Sequence, residues 1–284
     1  MGIENRDYYR GMGRSNGGFF SQITPVVKWL LILNLGIYLL DLFLADSSGR
    51  KPLRDFGAYS IQSGIFEGKI WEFLTFQFIH AHLGHVGFNC MGIFFFGPWM
   101  ERWWGSQKFL IFYLLCGIGG AAFFSLLVYL GILSGAGLVG ASAGIYGIFI
   151  GVAAIAPSLR VQLLFPPIEL SMRQLAIGLM MISIGSIVLK LGGNEGGEAG
   201  HLGGAIIGFL LMRFPNLLGL SKDGIPVAPK VIPPKLRPRS HIETSQESEV
   251  DLILDKISRD GFQSLTLEER DILQKASTSN RQKK

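Results

Sequence analysis

The strongest constraint on the fold is a series of six long apolar segments separated by polar loops. The segments are 26–44, 85–100, 108–131, 141–156, 173–191 and 201–214. Only 17% of the 284 residues are charged, whereas a soluble domain carries about 25% charged residues. Because about 20 apolar helical residues span a bilayer, the sequence predicts an all-α membrane protein with six spans. The fourth and sixth spans are short, as expected of helices that begin at the floor of a water-filled cavity.

Lys and Arg residues near the span ends predict the orientation. They occur before the first span, in the 101–107 and 157–172 loops and after the last span, whereas the 132–140 and 192–200 loops have neither. Both termini are therefore expected in the cytoplasm. We interpret the net charge of +5 as a topology signal and expect no nucleic-acid partner. The aromatic-rich 45–84 loop is expected to form an amphipathic segment in the outer interface.

Composition divides the chain into five parts. They are a cytoplasmic N-terminal segment (1–24), a six-helix domain (25–214), a Pro-rich basic linker (215–246), a small helical hairpin (247–276) and a polar end (277–284). The apolar face of the hairpin comprises Val250, Ile253, Leu254 and Ile257. Thr266 and Glu269 predict a capping box at its second helix. A weakly ordered tail remains an open alternative.

Four polar side chains from three spans are predicted at one depth near the outer surface. His85 and Asn89 share a helical face in the second span, Ser142 begins the fourth and His201 begins the sixth. Each has a plain structural explanation, because a small-residue frame around Ser142 suits helix packing and His or Asn can bond between helices. Polar groups inside a membrane are nevertheless costly and usually functional. Their convergence therefore predicts a site.

The residue types at this depth suit peptide hydrolysis. A neutral imidazole can take the Ser142 proton during attack on a carbonyl and return it to the leaving amine. Glu195 and Glu198 are assigned to the outer 192–200 loop. With no carboxylate expected at the shared depth, the sequence favours a Ser–His dyad over a triad.

Supporting groups follow from the same placement. His85, Asn89 and the Ser142 N–H are candidate donors to an oxyanion. Tyr146 lies one turn below Ser142, where its ring could stack on the imidazole. Glycines in the fourth and sixth spans would let these helices pack closely and bring Ser142 and His201 together.

The two cysteines, Cys90 and Cys116, both fall in apolar segments. This position argues against a disulfide framework and against a cysteine metal site. We expect neither a metal nor a cofactor.

Taken together, three motifs resemble the rhomboid intramembrane serine proteases. They are GASAG around Ser142, the pair His85-x-x-x-Asn89, and Ala-Gly-His201-x-x-Gly204. The resemblance extends over about residues 24–215 in the family's order.

The resemblance implies a role for each site residue. Ser142 would be the nucleophile and His201 the base, with an oxyanion hole formed by His85, Asn89 and the Ser142 amide. Support would come from Tyr146, Gly140 and Gly204.

The resemblance further implies a six-helix bundle in the bacterial inner membrane, with a site that opens to the outer face. Its partners would be the lipid bilayer and membrane-protein substrates whose transmembrane helix unwinds easily. The alternative is a non-catalytic rhomboid-like protein that binds client helices. A transporter is disfavoured, because the polar residues stop at one layer instead of crossing the bilayer.

Overall fold

The computed structural model describes residues 23–135, 137–163, 167–219 and 245–282. The described residues belong to two compact units, one within Gly17–Pro229 and one that includes Lys230–Lys284. The described part of the first unit contains six long helices, one in each predicted apolar segment. They are α1 (Pro25–Phe43), α2 (Leu83–Trp104), α3 (Ser106–Tyr129), α4 (Ser142–Ile155), α5 (Met172–Leu189) and α6 (Glu195–Arg213).

Three of the described helices, α1, α3 and α5, are long and apolar enough to cross a membrane. The α4 helix is apolar but has only 14 residues, as expected for the fourth span. The α2 and α6 helices have 22 and 19 residues, but their polar side chains and glycines lower their hydropathy. The prediction of an all-α membrane architecture is therefore supported, and the count of six spans stays a prediction.

The sixth helix is longer than the sequence suggested. It begins at Glu195 instead of near His201 and runs for 19 residues, so the expectation of a short sixth helix was wrong. Asn194 precedes it, and the two acidic residues of its first turn, Glu195 and Glu198, suit the positive end of a helix. Four glycines and two charges in 192–198 made this turn look like a loop in the sequence.

The loop between α4 and α5 contains a small antiparallel hairpin that the sequence did not predict. Its strands are β1 (Arg160–Gln162) and β2 (Glu169–Ser171), and Arg160 pairs with Ser171. A capping box between Ser171 and Gln174 then starts α5. Three-residue strands are too short to leave a periodic signal in the sequence.

Glycines allow the backbones of α4 and α6 to touch. A Cβ atom at Gly204 would lie 2.0 Å from the carbonyl oxygen of Ala143, and one at Gly208 would lie 2.8 Å from the Cα of Gly147. On the neighbouring side of α6, a Cβ at Gly203 would lie 2.5 Å from the carbonyl oxygen of Gly119 in α3. The α6 helix is therefore set into a groove between α3 and α4.

The loop between α1 and α2 has one buried and one exposed aromatic face. Tyr59 and Phe76 are buried, whereas Phe56 and Trp71 stack on each other and are exposed. The backbone of Tyr59 exchanges hydrogen bonds of 3.0 and 2.7 Å with Leu138. The loop therefore holds the segment that leads into α4.

The described residues of the second unit form two further α-helices, α7 (Ser245–Asp260) and α8 (Leu267–Gln282). The predicted capping box is present, because the Thr266 N–H donates to Glu269 Oε2 (2.7 Å) and the Glu269 N–H donates to Thr266 Oγ1 (3.2 Å). Ile253 is buried, but Leu254, which was predicted on the same face, is 50% exposed. Lys256 donates to the Glu269 carboxylate at 2.8 Å and thereby lowers the pKa of that group.

We predict that Gly204→Ala destabilises the protein by about 1–3 kcal/mol or more, because the new methyl group meets the backbone of Ala143 and not a movable side chain. Thermal unfolding in detergent micelles measures the change. Gly178→Ala in α5 is the matched control, since a Cβ there meets nothing within 4 Å. Equal unfolding temperatures for the two variants would contradict the packing argument.

Candidate active site

Ser142 and His201 come from different helices and are in hydrogen-bond contact. Ser142 is the first residue of α4, and its Oγ lies 2.8 Å from Nε2 of His201 in the second turn of α6. The imidazole also stacks on Tyr146, with ring centroids 4.2 Å apart and an interplanar angle of 11°. The three side chains that the sequence predicted to meet therefore do so.

The second imidazole nitrogen faces a carboxylate. Glu198 Oε2 lies 3.0 Å from His201 Nδ1, and the hydroxyl of Ser183 in α5 donates to the same oxygen at 2.5 Å. The expectation that no carboxylate reaches this depth was therefore wrong. It failed because Glu198 was assigned to a loop, whereas a helix through this segment places residues three apart on one face.

The imidazole of His85 and the amide of Asn89, both in α2, lie beside the turn that precedes Ser142. A Cβ atom at Gly140 would lie 2.5 Å from His85 Nε2 and 3.2 Å from Asn89 Nδ2, so both nitrogens crowd the backbone there. Gly140 also has a φ of +114°, which L side chains rarely adopt. Glycine is therefore required at this position for both space and backbone conformation.

The side chain of Asn89 is a buried donor without an acceptor. It is 6% exposed, and Nδ2 has no hydrogen-bond partner among the described residues. A buried polar group left unpaired costs about 1–3 kcal/mol. The N–H groups of Asn89 Nδ2 are therefore available to an acceptor on a bound molecule.

His80 belongs to the loop between α1 and α2 but is buried. It is 2% exposed, its ring meets that of His85 edge-on at 5.1 Å, and neither ring nitrogen has a partner among the described residues. His82 is exposed, and its Nδ1 accepts the N–H of His85 as the cap of α2. Burial, together with the neighbouring His85, lowers the pKa of His80 from 6.5 to about 4.

A cavity of about 540 Å³ opens onto the Ser142 and His201 side chains. Its other lining residues are Ala81, His82, Gly84, His85, Phe88, Gly137, Leu138, Val139, Asn194 and Gly197. Among the described residues, no cluster of three or more His, Cys, Asp or Glu side chains is arranged to hold a metal ion. The cavity therefore presents a hydroxyl, an imidazole and hydrogen-bond donors to whatever enters it.

Comparison with known families identifies the larger unit. A family model described as the Rhomboid domain matches residues 67–214, just over half of the chain. The chain belongs to the rhomboid family. With its apolar helices, this rhomboid is an integral membrane protein. A second model, for a family of unknown function termed DUF6576, matches residues 243–279, which include most of α7 and α8.

Several curated relatives of this rhomboid are named as proteases. It is 28% identical to rhomboid protease GluP of Bacillus subtilis over 214 residues, which is 74% of this chain and 38% of that protein. It is 30% identical to rhomboid protease AarA of Providencia stuartii over 198 residues, covering 64% of this chain and 69% of the relative. The match to rhomboid protease GlpG of Haemophilus influenzae is 26% over 145 residues, or 51% of this chain and 69% of the relative. The chain thus spans well under half of GluP and about two thirds of the other two.

We predict that acid weakens this rhomboid through His80. Because its pKa is about 4 in the folded protein and about 6.5 in the unfolded chain, the unfolded state binds more protons between these values. The stabilising contribution of neutral His80 is complete above pH 6.5 and is lost as the pH falls toward 4, by up to about 3 kcal/mol.

The measurement is the unfolding temperature of wild type and His80→Leu in detergent between pH 7 and pH 4. The variant lacks this titration, so its unfolding temperature should fall less with pH than that of wild type. Parallel pH dependences would contradict the prediction.

Proposed function

We propose that this rhomboid is an intramembrane serine endopeptidase that cleaves membrane proteins in or next to a transmembrane segment. One observation carries the proposal: the hydroxyl of Ser142 lies 2.8 Å from the imidazole of His201 at a cavity inside a bundle of apolar helices. A serine and a histidine within hydrogen-bond reach are the minimum for nucleophilic acyl transfer. The names of the relatives GluP, AarA and GlpG, all rhomboid proteases, favour the same reaction.

In the first step, Ser142 Oγ attacks the carbonyl carbon of the scissile peptide as its proton passes to His201 Nε2. The carbonyl π electrons move onto oxygen and give a tetrahedral oxyanion. Nε2–H then protonates the leaving amine as the C–N bond breaks, which leaves an acyl ester on Ser142. Water, deprotonated by the same nitrogen, hydrolyses the ester and regenerates the hydroxyl.

The oxyanion would be bound by His85, Asn89 and the backbone N–H of Ser142. As the first residue of α4, Ser142 has an N–H without an intrahelical acceptor, and the helix end adds positive potential. The Nδ2 of Asn89 has no acceptor among the described residues, so it would give up no hydrogen bond in order to donate. Tyr146 would hold the imidazole by stacking, and Gly140 and Gly204 would keep the two halves of the site at this distance.

The membrane setting suggests the substrate class. A peptide bond inside an α-helix is shielded by its own backbone hydrogen bonds, so a substrate segment must unwind before its carbonyl can reach Ser142. Transmembrane helices with poor helix formers unwind most easily. In the orientation implied by the basic loops, all six helices span the membrane of a bacterial cell, both termini are cytoplasmic and the cavity opens to the outer face.

The proposal predicts that wild type, but neither Ser142→Ala nor His201→Ala, reacts with a fluorophosphonate serine probe in detergent. The probe reports an activated serine without knowledge of the natural substrate. Both variants should retain the unfolding temperature of wild type. Failure of folded wild type to react would favour client binding without catalysis, and labelling of Ser142→Ala would exclude this nucleophile.

Asn89→Ala should lower kcat by about 10²–10³-fold while KM changes little, because an oxyanion-hole donor acts mainly in the transition state. A fluorogenic transmembrane peptide provides the rate. Cys90→Ala is the control, because it truncates the half-buried side chain that follows Asn89 in the same helix. Similar rates for both variants would argue against Asn89 as a donor.

A further inference from the structure

We propose that Glu198 is a positioning residue that holds His201 in its reactive tautomer and stabilises the imidazolium, so that this rhomboid uses a Ser–His–Glu arrangement in place of a dyad. The inference rests on the proposed function and assigns a role to a carboxylate that lies outside the motifs that suggested that function.

Both ring nitrogens of His201 are engaged, and on opposite sides. Nδ1 lies 3.0 Å from Glu198 Oε2, and Nε2 lies 2.8 Å from Ser142 Oγ. A carboxylate only accepts hydrogen bonds, so it selects the tautomer that carries its proton on Nδ1. The lone pair of Nε2 is then directed at the Ser142 hydroxyl, which is the form that a general base requires.

The structure also holds the carboxylate itself in place. Ser183 of α5 donates to Oε2 at 2.5 Å, and the Glu198 side chain is only 17% exposed. Glu198 lies in the first turn of α6, where a negative charge is favoured by the helix dipole. Among the described residues its ion-pair partner is His201, so its charge acts on the imidazole and is not neutralised by a Lys or Arg.

The carboxylate matters most when charge develops. As Ser142 attacks, its proton moves to Nε2 and the ring becomes positive, while the Nδ1 proton stays on the ring and remains hydrogen-bonded to Glu198. The negative carboxylate stabilises this imidazolium without accepting the proton. Because the side chains of Glu198 and His201 are 17% and 16% exposed, water screens the pair less than it would at the surface.

A structural role for Glu198 would consist of stabilising the start of α6 by its charge alone. Glu195 offers the same charge in the same first turn, but the hydrogen bonds of the described residues give it no contact with His201. Glu195→Gln is therefore a matched control for loss of a first-turn carboxylate. The two positions differ in their relation to the imidazole.

The experiment measures kcat, KM, the rate of fluorophosphonate labelling and the unfolding temperature of full-length protein in detergent. The variants are Glu198→Gln, Glu198→Asp, Ser183→Ala, Glu195→Gln and the reference Ser142→Ala. We expect Glu198→Gln to lower kcat by at least about 10-fold, and by up to the ~10⁴-fold loss seen when a serine triad loses its carboxylate charge. Its KM should change little, and its labelling rate should fall in parallel.

The remaining variants test position and charge separately. Glu198→Asp keeps the charge and should recover part of the rate lost in Glu198→Gln. Ser183→Ala keeps the carboxylate but removes the hydroxyl that fixes it, so kcat should fall by a smaller factor. Glu195→Gln should match wild type. If Glu198→Gln does not fold, Ser183→Ala provides the comparison, and a wild-type kcat in that variant overturns the inference.

The other outcomes separate this inference from the proposed function. If wild type is active and Ser142→Ala is not, but folded Glu198→Gln turns over like wild type, the positioning role is overturned and the protease assignment stands. Equal losses in Glu198→Gln and Glu195→Gln also overturn it, because they indicate helix stabilisation alone. If folded wild type neither cleaves nor labels, the proposed function fails and the inference fails with it.

Discussion

The close approach of α6 to α4 is the contact on which the rest of the site depends. With Gly204 against the carbonyl of Ala143 and Gly208 against Gly147, the two backbones meet without intervening side chains. Hydrophobic burial between helices is a weak force in a lipid environment, so small residues that permit backbone contact are a main source of helix association there. This contact brings His201 within hydrogen-bond distance of Ser142. A single added methyl group at Gly204 would act on packing and on chemistry together.

A second constraint acts on the segment that precedes Ser142. Leu138 is paired with Tyr59, and the N–H of Gly140 donates to the carbonyl of Phe76 at 2.9 Å. The loop between α1 and α2 therefore fixes the entry into α4 by backbone hydrogen bonds. At Gly140 the positive φ turns the chain, and the absent side chain leaves room for His85. The first loop and α2 thus meet at the end of α4 where an oxyanion would be bound.

The site residues that could be recognised from the sequence were those in segments with a clear helical pattern. His85 and Asn89 are four residues apart, and Ser142 and His201 each stand among small residues in apolar segments, so their common depth followed from span order alone. Glu198 was missed because the glycines and charges around it are typical of a loop. In the structure these residues form the start of α6, and this helical turn brings Glu198 to His201. His80 was missed for another reason: its burial comes from the packing of a non-periodic loop against α2.

The sequence by itself determined the membrane class, the apolar segments in which the long helices lie, the family resemblance and the side chains expected to share a site. These properties depend on apolar run length and on local spacing, which a chain carries in its order of residues. Three features were decided by the tertiary structure alone. Nε2 of His201 faces Ser142, a carboxylate is hydrogen-bonded to Nδ1, and Nδ2 of Asn89 has no acceptor among the described residues. The Ser142–His201 contact of 2.8 Å joins residues 59 apart in sequence, and how closely the helix backbones pack sets that distance. The Glu198–His201 contact depends on the helical start of α6.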